Sequence, residues 1–358
     1  MKLPSLKIGN LIADIPIIQG GMGIGISRAK LASAVANEGG IGIISGVQIG
    51  FNEPDFETNN KAANIRGLQK EIRKARKLSP KGIIGVNLLT AMNNYKEMIL
   101  TAVKEKIDLI ICGAGLPVDL PELVENSASK IIPIVSSSKA ATIITKLWDR
   151  RYNRIPDALI VEGPKAGGHL GFSLKELNKK PIPNLADIVK EVLSAIKPFE
   201  KKYNKKIPVI AAGGIFDGYD IAKHIKIGAS GVQMATRFVT TYECDAHDNY
   251  KKAYINASKD QIQIIKSPVG MPGRAIRNKL IETLEKTNKK ISKCYNCLKP
   301  CDPSTTPYCI SEALIKALKG DTDNGLIFAG SNVYKLNKII SVKELINELV
   351  NETLIALT

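Results

Sequence analysis

The sequence predicts a (β/α)8 TIM barrel carrying a smaller, mainly helical inserted lid or substrate domain. Three observations predict it: eight short apolar, β-branched runs, helical stretches between several of them, and loss of that rhythm after Phe238. Strands of a parallel sheet are buried on both faces, so they read as nearly continuous apolar runs rather than alternating ones. The runs are "PIIQGGMG" from Pro16, "GIGIIS" from Gly40, "GIIGVNLL" from Gly82 and "DLIICGAG" from Asp108. They continue with "KIIPIVSS" from Lys130, "ALIVEG" from Ala158, "PVIAAGGI" from Pro208 and "GVQMATRF" from Gly231. Stretches such as "SRAKLASAVANEG" and "YDIAKHIKIGA" have the apolar spacing of helices that cover a sheet. A doubly wound open sheet is the alternative, and the count of eight favours the barrel.

Residues 1–239 are therefore expected to form the barrel and residues 240–310 a lid without strand rhythm. Residues 311–358 are expected to supply C-terminal helices that pack back on the barrel.

Of the 358 residues, 44% are hydrophobic and 24% charged, an ordinary globular composition with length enough for one large domain or two smaller ones. No basic start leads into an apolar leader, and no apolar run approaches the ~18 residues of a membrane helix. A soluble, cytoplasmic protein without membrane contact is expected. The 51 Lys and Arg against 34 Asp and Glu give a formal charge of +17. Such a field attracts anions, including phosphorylated cofactors and acidic carrier proteins. The basic residues lie on segments such as "KEIRKARKLSPKG" and "KPFEKKYNKK", with no aromatic-rich basic strand for stacking bases. This reads as a solvated surface and not as a nucleic-acid site.

Barrel enzymes build their sites from the loops that follow the strands. Glycine-rich turns fall at those ends here, in "QGGMG", "CGAG", "AGGH" and "AGG". Loops after the seventh and eighth strands commonly bind phosphate through backbone N–H groups. Gly213 and Gly214 can expose such groups, and Thr236 adds a hydroxyl. His169 stands behind two glycines at the end of the sixth run, where a side chain that titrates near neutrality could act as a base. The plain alternative is a turn histidine without chemistry.

The ordered motifs "PIIQGGMG", "GVN", "EGPKAGGHLG", "IPVIAAGGI" and "VQMATRF" resemble the nitronate monooxygenase family, formerly 2-nitropropane dioxygenases, and the related flavin-dependent enoyl-acyl-carrier-protein reductases. The resemblance continues through "DAHDNYK" and "GRAIRN", covering most of residues 10–280. It implies an FMN-binding barrel, with flavin contacts from Gly21, Met22, Asn87, Glu162 and Gly167. Phosphate contacts are implied for Gly213, Gly214, Gln233 and Thr236. His169 then resembles the base that takes the α-proton of a neutral nitroalkane, and a histidine in the same setting lies near the flavin of the reductases. Glu162 departs from the "QG" of many monooxygenases and matches the "EG" of the reductases.

His224 reads as a packing or surface residue of a helix, His247 has no assigned role, and Cys112 reads as a small buried hydrophobe. "CYNCLKPCDPSTTPYC" spaces Cys294, Cys297, Cys301 and Cys309 as C-x2-C-x3-C-x7-C. Free thiols in a lid loop, structural zinc and a [4Fe–4S] cluster are all compatible with four such cysteines.

The reading reached is an FMN-dependent oxidoreductase that oxidatively denitrifies alkyl nitronates. An enoyl-thioester reductase using NAD(P)H, with an acyl-carrier-protein or CoA substrate, is the enzymatic alternative. A flavin or thiol redox sensor is the non-catalytic one. A homodimer is left open.

Overall fold

The computed structural model describes residues 2–358. Eight parallel strands close into a barrel. They are β1 (Ile17–Gln19), β2 (Ile41–Ser45), β3 (Ile83–Leu89), β4 (Leu109–Gly113), β5 (Lys130–Val135), β6 (Leu159–Glu162), β7 (Val209–Ala212) and β8 (Gly231–Met234). Each of the eight apolar runs contains one of them. Ring closure leaves no edge strand exposed, and β8 returns to β1 through the pairs Val232–Ile17 and Met234–Gln19.

The continuous apolar character follows from burial on both sides. Ile18, Ile41, Ile43, Leu109, Ile111, Ile132, Ile160 and Ile210 cluster together inside the ring. Their neighbours Ile17, Ile44, Ile110, Ile131, Leu159, Val161, Val209 and Val232 belong to the second core, beneath the helices. A short hairpin that the sequence reading did not include, Leu6–Ile8 with Leu11–Ala13, adds Leu6, Ile8 and Ala13 to the inner cluster. It plugs the barrel with apolar side chains, since an open end would leave that core wet.

The helices are α1 (Ala29–Asn37), α2 (Asn60–Leu78), α3 (Tyr95–Lys104), α4 (Ser138–Tyr152), α5 (Leu185–Tyr203), α6 (Gly218–Lys226) and α7 (Val342–Leu357). Only the one-turn helix Leu120–Leu123 follows β4. Side chains cap several starts: Ser137 accepts from Ala140 N–H at 3.2 Å, Asp217 from Asp220 N–H at 2.9 Å. None of the described helices is long and apolar enough to cross a membrane.

The eighth covering helix, α7, is separated from β8 by about a hundred residues. It packs against α6 and α1, and its Glu352 accepts from Gly218 N–H at 2.7 Å. The intervening excursion leaves and returns at one place. Ile340 N–H donates to Thr240 O at 3.2 Å, and Tyr242 N–H donates to Ile340 O at 3.1 Å.

Between those points lie helices Asp248–Ile255, Lys279–Leu284 and Ile310–Leu318 and one antiparallel hairpin, Ile262–Lys266 with Pro272–Ile276. The hairpin corrects the expectation that this region carries no strand rhythm. Its first strand is half-buried along most of its length, so no sharp inside–outside alternation marks it. What holds it is pairing: Gly273 with His169 on one side, and Ala275 with Phe328 from the returning chain.

Candidate active site

The strand register sets the floor of the barrel mouth. Glu162, Ala212 and Gln233 lie in one row across β6, β7 and β8, and Ser45 pairs with Asn87 across β2 and β3. The loop after β1 bends over this floor. Gly20 and Gly21 lie against Gln233 and Asn87, and a side chain on Gly21 would overlap Asn87. Met22 is fastened just above, its N–H donating to Ser27 Oγ at 2.8 Å. The structure thus brings Gly21, Met22, Asn87 and Gln233 into one neighbourhood.

Opposite them, Gly213 and Gly214 both adopt φ +91°, a conformation that side-chain-bearing residues rarely take. They lie against Gly163 O and Lys165, so the loops after β6 and β7 are in contact. A segment of the returning chain, residues 329–332, threads between these loops. Asn332 Nδ2 donates to Gly214 O at 2.7 Å, Gly330 N–H donates to Thr236 Oγ1 at 3.3 Å, and Ser331 N–H donates to Lys165 O at 3.1 Å. Gly167 abuts Ala329 and Gly330. Gly167, Gly213, Gly214 and Thr236 therefore converge on one segment, and Ser331 and Asn332 join them. Sequence reasoning missed both, because a separation of about a hundred residues from β8 carries no motif spacing.

His169 stands on the short strand Gly168–His169, stitched to the inserted hairpin. Leu170 N–H donates to Pro272 O at 2.8 Å, and the Phe328 ring meets the imidazole edge-on at 5.1 Å. Its Nε2 lies 2.6 Å from Ser267 Oγ. Arg274, 7% exposed, reaches back from the hairpin and donates to Pro164 O at 2.8 Å and Ala166 O at 2.5 Å. A buried guanidinium thus fixes the loop that carries Gly167 and His169, and burial lowers its pKa to about 10.

Desolvation dominates the electrostatics of the mouth. It holds the His169 imidazolium pKa down to about 4 and pushes the Glu162 carboxyl up to about 7. Both groups are driven toward their neutral forms. At neutral pH, His169 carries a free nitrogen lone pair and Glu162 titrates.

Elsewhere the histidines are structural. His224 is buried with Nδ1 2.8 Å from Asp220 O, and His247 accepts from Asn249 N–H at the start of a helix. Cys112 is fully buried and receives the Tyr95 hydroxyl.

Cys294, Cys297, Cys301 and Cys309 are all free, the first exposed and the others half-buried. Among the described residues, no three Cys, His, Asp or Glu side chains are grouped to hold a metal ion. In this structure the four thiols are thus not drawn together as the zinc or [4Fe–4S] ligand set that the spacing admits. The cysteine loop instead docks on the loop after β3: Lys299 N–H donates to Ala91 O at 2.8 Å and Asn93 N–H to Cys297 O at 3.2 Å. Tyr295 stacks on Phe56 at 5.3 Å, so the loop fences one side of the mouth.

The mouth fits a phosphorylated flavin. Ser331 Oγ is buried without a hydrogen-bond partner beside the Gly214 and Thr236 loops, where a phosphate would supply an acceptor. Paired glycines keep side chains off the same spot, and a protonated Glu162 can donate to a ring heteroatom.

Comparisons with known proteins agree. The sequence profile of the nitronate monooxygenase family matches residues 5–352. A protein described as "Probable nitronate monooxygenase" from Staphylococcus aureus is 27% identical over 299 residues, 76% of this chain and 78% of the relative. FabK from Thermotoga maritima superposes with a TM-score of 0.73 at 26% identity, covering 95% of this chain and 92% of that one. Nitroalkane oxidase from Streptomyces ansochromogenes shares the fold, with a TM-score of 0.72 at 20% identity over 96% of each chain. With residues 5–352 matched to the family profile, the chain belongs to the nitronate monooxygenase family of flavin-dependent oxidoreductases.

Proposed function

We propose that the protein is an FMN-dependent nitronate monooxygenase, converting alkyl nitronates by oxidative denitrification. The observation that carries this reading is the placement of His169 at the barrel mouth, its ring held by Ser267 Oγ on one side and the Phe328 edge on the other. Bound FMN would supply the redox chemistry between the anion and oxygen. The chain supplies orientation and the proton acceptor. His169 takes the α-proton of a neutral nitroalkane, and the nitronate formed beside the new imidazolium offsets the cost of charging a half-buried ring. Gly167, Gly213, Gly214, Thr236 and Ser331 would hold the phosphate, while Gly21, Met22, Asn87, Glu162 and Gln233 would line the ring system.

Glu162 favours a second reading, reduction of enoyl thioesters with NAD(P)H, because the sequence has "EG" where many monooxygenases resemble "QG". An anaerobic titration of the flavin band separates the two. No bleaching by NADH or NADPH, with oxygen-dependent turnover of nitronates, supports the monooxygenase; rapid stoichiometric bleaching and turnover of an enoyl thioester replaces it. His169→Ala should lower kcat/KM for a neutral nitroalkane about 100-fold and spare the pre-ionised nitronate. Equal losses on both substrates would remove His169 as the base.

A further inference from the structure

The loops after β7 and β8 border a second space. Phe216 lies just beyond Gly214 and Arg237 just beyond Thr236, and both line a cavity of about 300 Å³. The returning chain adds Lys335, Leu336, Lys338 and Ile340 to its wall, and α7 adds Glu348. None of the residues that fit the flavin phosphate belongs to this lining.

Contacts place the charged ends. Arg237 Cζ lies 4.8 Å and Lys335 Nζ 5.3 Å from the centre of the same Phe216 ring, so one aromatic side chain positions both cations. Arg237 is 8% exposed and donates to Phe216 O at 3.1 Å and to Glu348 Oε1 at 2.7 Å. These bonds fix the guanidinium plane and leave further N–H donors. Lys335 and Lys338 are exposed, and neither has a carboxylate at ion-pair distance among the described residues. Glu344 is an acidic neighbour of Lys338, but its carboxylate accepts from Ser341 N–H and Ser341 Oγ at 2.7 Å each. Three cations thus line the cavity against one carboxylate, Glu348, which Arg237 already occupies. Buried Phe216 and Leu336 and half-buried Ile340 give the same space an apolar side.

A monocarboxylate would leave part of this positive charge unmatched. A phosphate dianion matches it and accepts from guanidinium and ammonium groups together. We propose that the cavity is a binding site for a small phosphate monoester, with its dianionic head on Arg237, Lys335 and Lys338 and its organic part against Phe216, Leu336 and Ile340. The site is independent of the reaction performed at the mouth. Its placement has a consequence for the mouth all the same. Asn332, three residues before Lys335, holds Gly214 O. A bound dianion ties the lysines to Arg237 and so presses the returning arm onto the loops after β7 and β8.

Calorimetric titration of the flavin-loaded protein with butyl phosphate, inorganic phosphate and butanol, at low salt, tests the site. Butyl phosphate should bind once per chain, inorganic phosphate about tenfold more weakly for want of apolar contact, and butanol not at all. Lys335→Gln with Lys338→Gln should weaken butyl phosphate about tenfold. Lys74→Gln with Lys77→Gln, exposed lysines of α2 outside the lining, should leave it unchanged. An unchanged melting temperature without ligand verifies the fold of both variants, and Lys338→Gln alone carries the comparison if the cavity pair melts early. Absence of saturable binding overturns the proposal. So does an equal loss in the two lysine pairs, the mark of a general attraction of anions to a basic protein. Equal affinity for both phosphates overturns the ester and leaves free phosphate as the ligand. Butyl phosphate should also slow flavin loss on dilution, and an unchanged rate overturns the hold on the arm. A preparation that retains no flavin is titrated as it is, and that failure falls on the cofactor reading alone.

Discussion

Glu162 ends β6 with a carboxyl that burial makes reluctant to ionise, and the consequence is a pH slope in stability. Its folded pKa of about 7 lies above the ordinary value of 4.5, so between these values the folded state binds more protons than the unfolded state. Stability is then full below about pH 4.5 and is lost as pH rises through 7. Glu162→Gln, which cannot ionise, should flatten that decline in flavin-free protein and raise stability at pH 8 by on the order of 1–3 kcal/mol. Urea titrations of both proteins at pH 5 and pH 8 check it, and parallel slopes would contradict it. Residues of this kind were partly legible in the sequence. Glu162, Gln233 and the glycines sit at strand ends, and a barrel places all its strand ends at one mouth. Ser267, Ser331 and Asn332 were not legible, and Arg274 stood only within "GRAIRN", with no role attached. They reach the mouth from the inserted segment and its return arm, and no local pattern connects them to the strands they meet.

Among the elements, the inserted hairpin has the largest bearing on the site. Arg274 satisfies two carbonyls of the β6 loop from inside the protein, and its loss would leave both acceptors buried and unpaired. Arg274→Met keeps the stem and removes the donors. It should cost about 2–4 kcal/mol, with weaker flavin retention because the Gly167 loop loosens. Thermal melting with and without added FMN measures both effects, and a stable variant with undiminished flavin affinity would show the clamp to be dispensable. The barrel strands could be found from sequence because two-sided burial makes them uniformly apolar. The two hairpins could not: Leu6–Ile8 and Leu11–Ala13 span three residues each, too short for a period, and Ile262–Lys266 has no clean apolar face.

For the whole molecule, completion of the helical layer depends on α7. Leu345, Ile346 and Leu349 of α7 are buried, and Arg237 pairs with Glu348 at 2.7 Å, so α7 fills the eighth position of the helical layer. Truncation after Ser341 would strip the cover from α6 and α1. Such a chain should show no cooperative thermal transition and should be cut rapidly by protease; a sharp melt close to that of the full chain would contradict this. The excursion before α7 is joined at its base through Thr240, Tyr242 and Ile340, so its ends impose no strain on the ring.

That arrangement sets an order of events during synthesis. At roughly 5–20 residues per second, the ribosome needs about 5–20 seconds to make the hundred or so residues between β8 and α7. All eight strands exist by then, yet the helical layer has a gap that no earlier segment can fill. The serine that touches His169 and the arm that completes the phosphate loops are made within the same interval. A nascent chain therefore has no finished cofactor pocket until the arm of residues 329–332 has been made and has docked on the Thr236 and Gly214 loops, and flavin capture becomes a report on the return of the inserted segment.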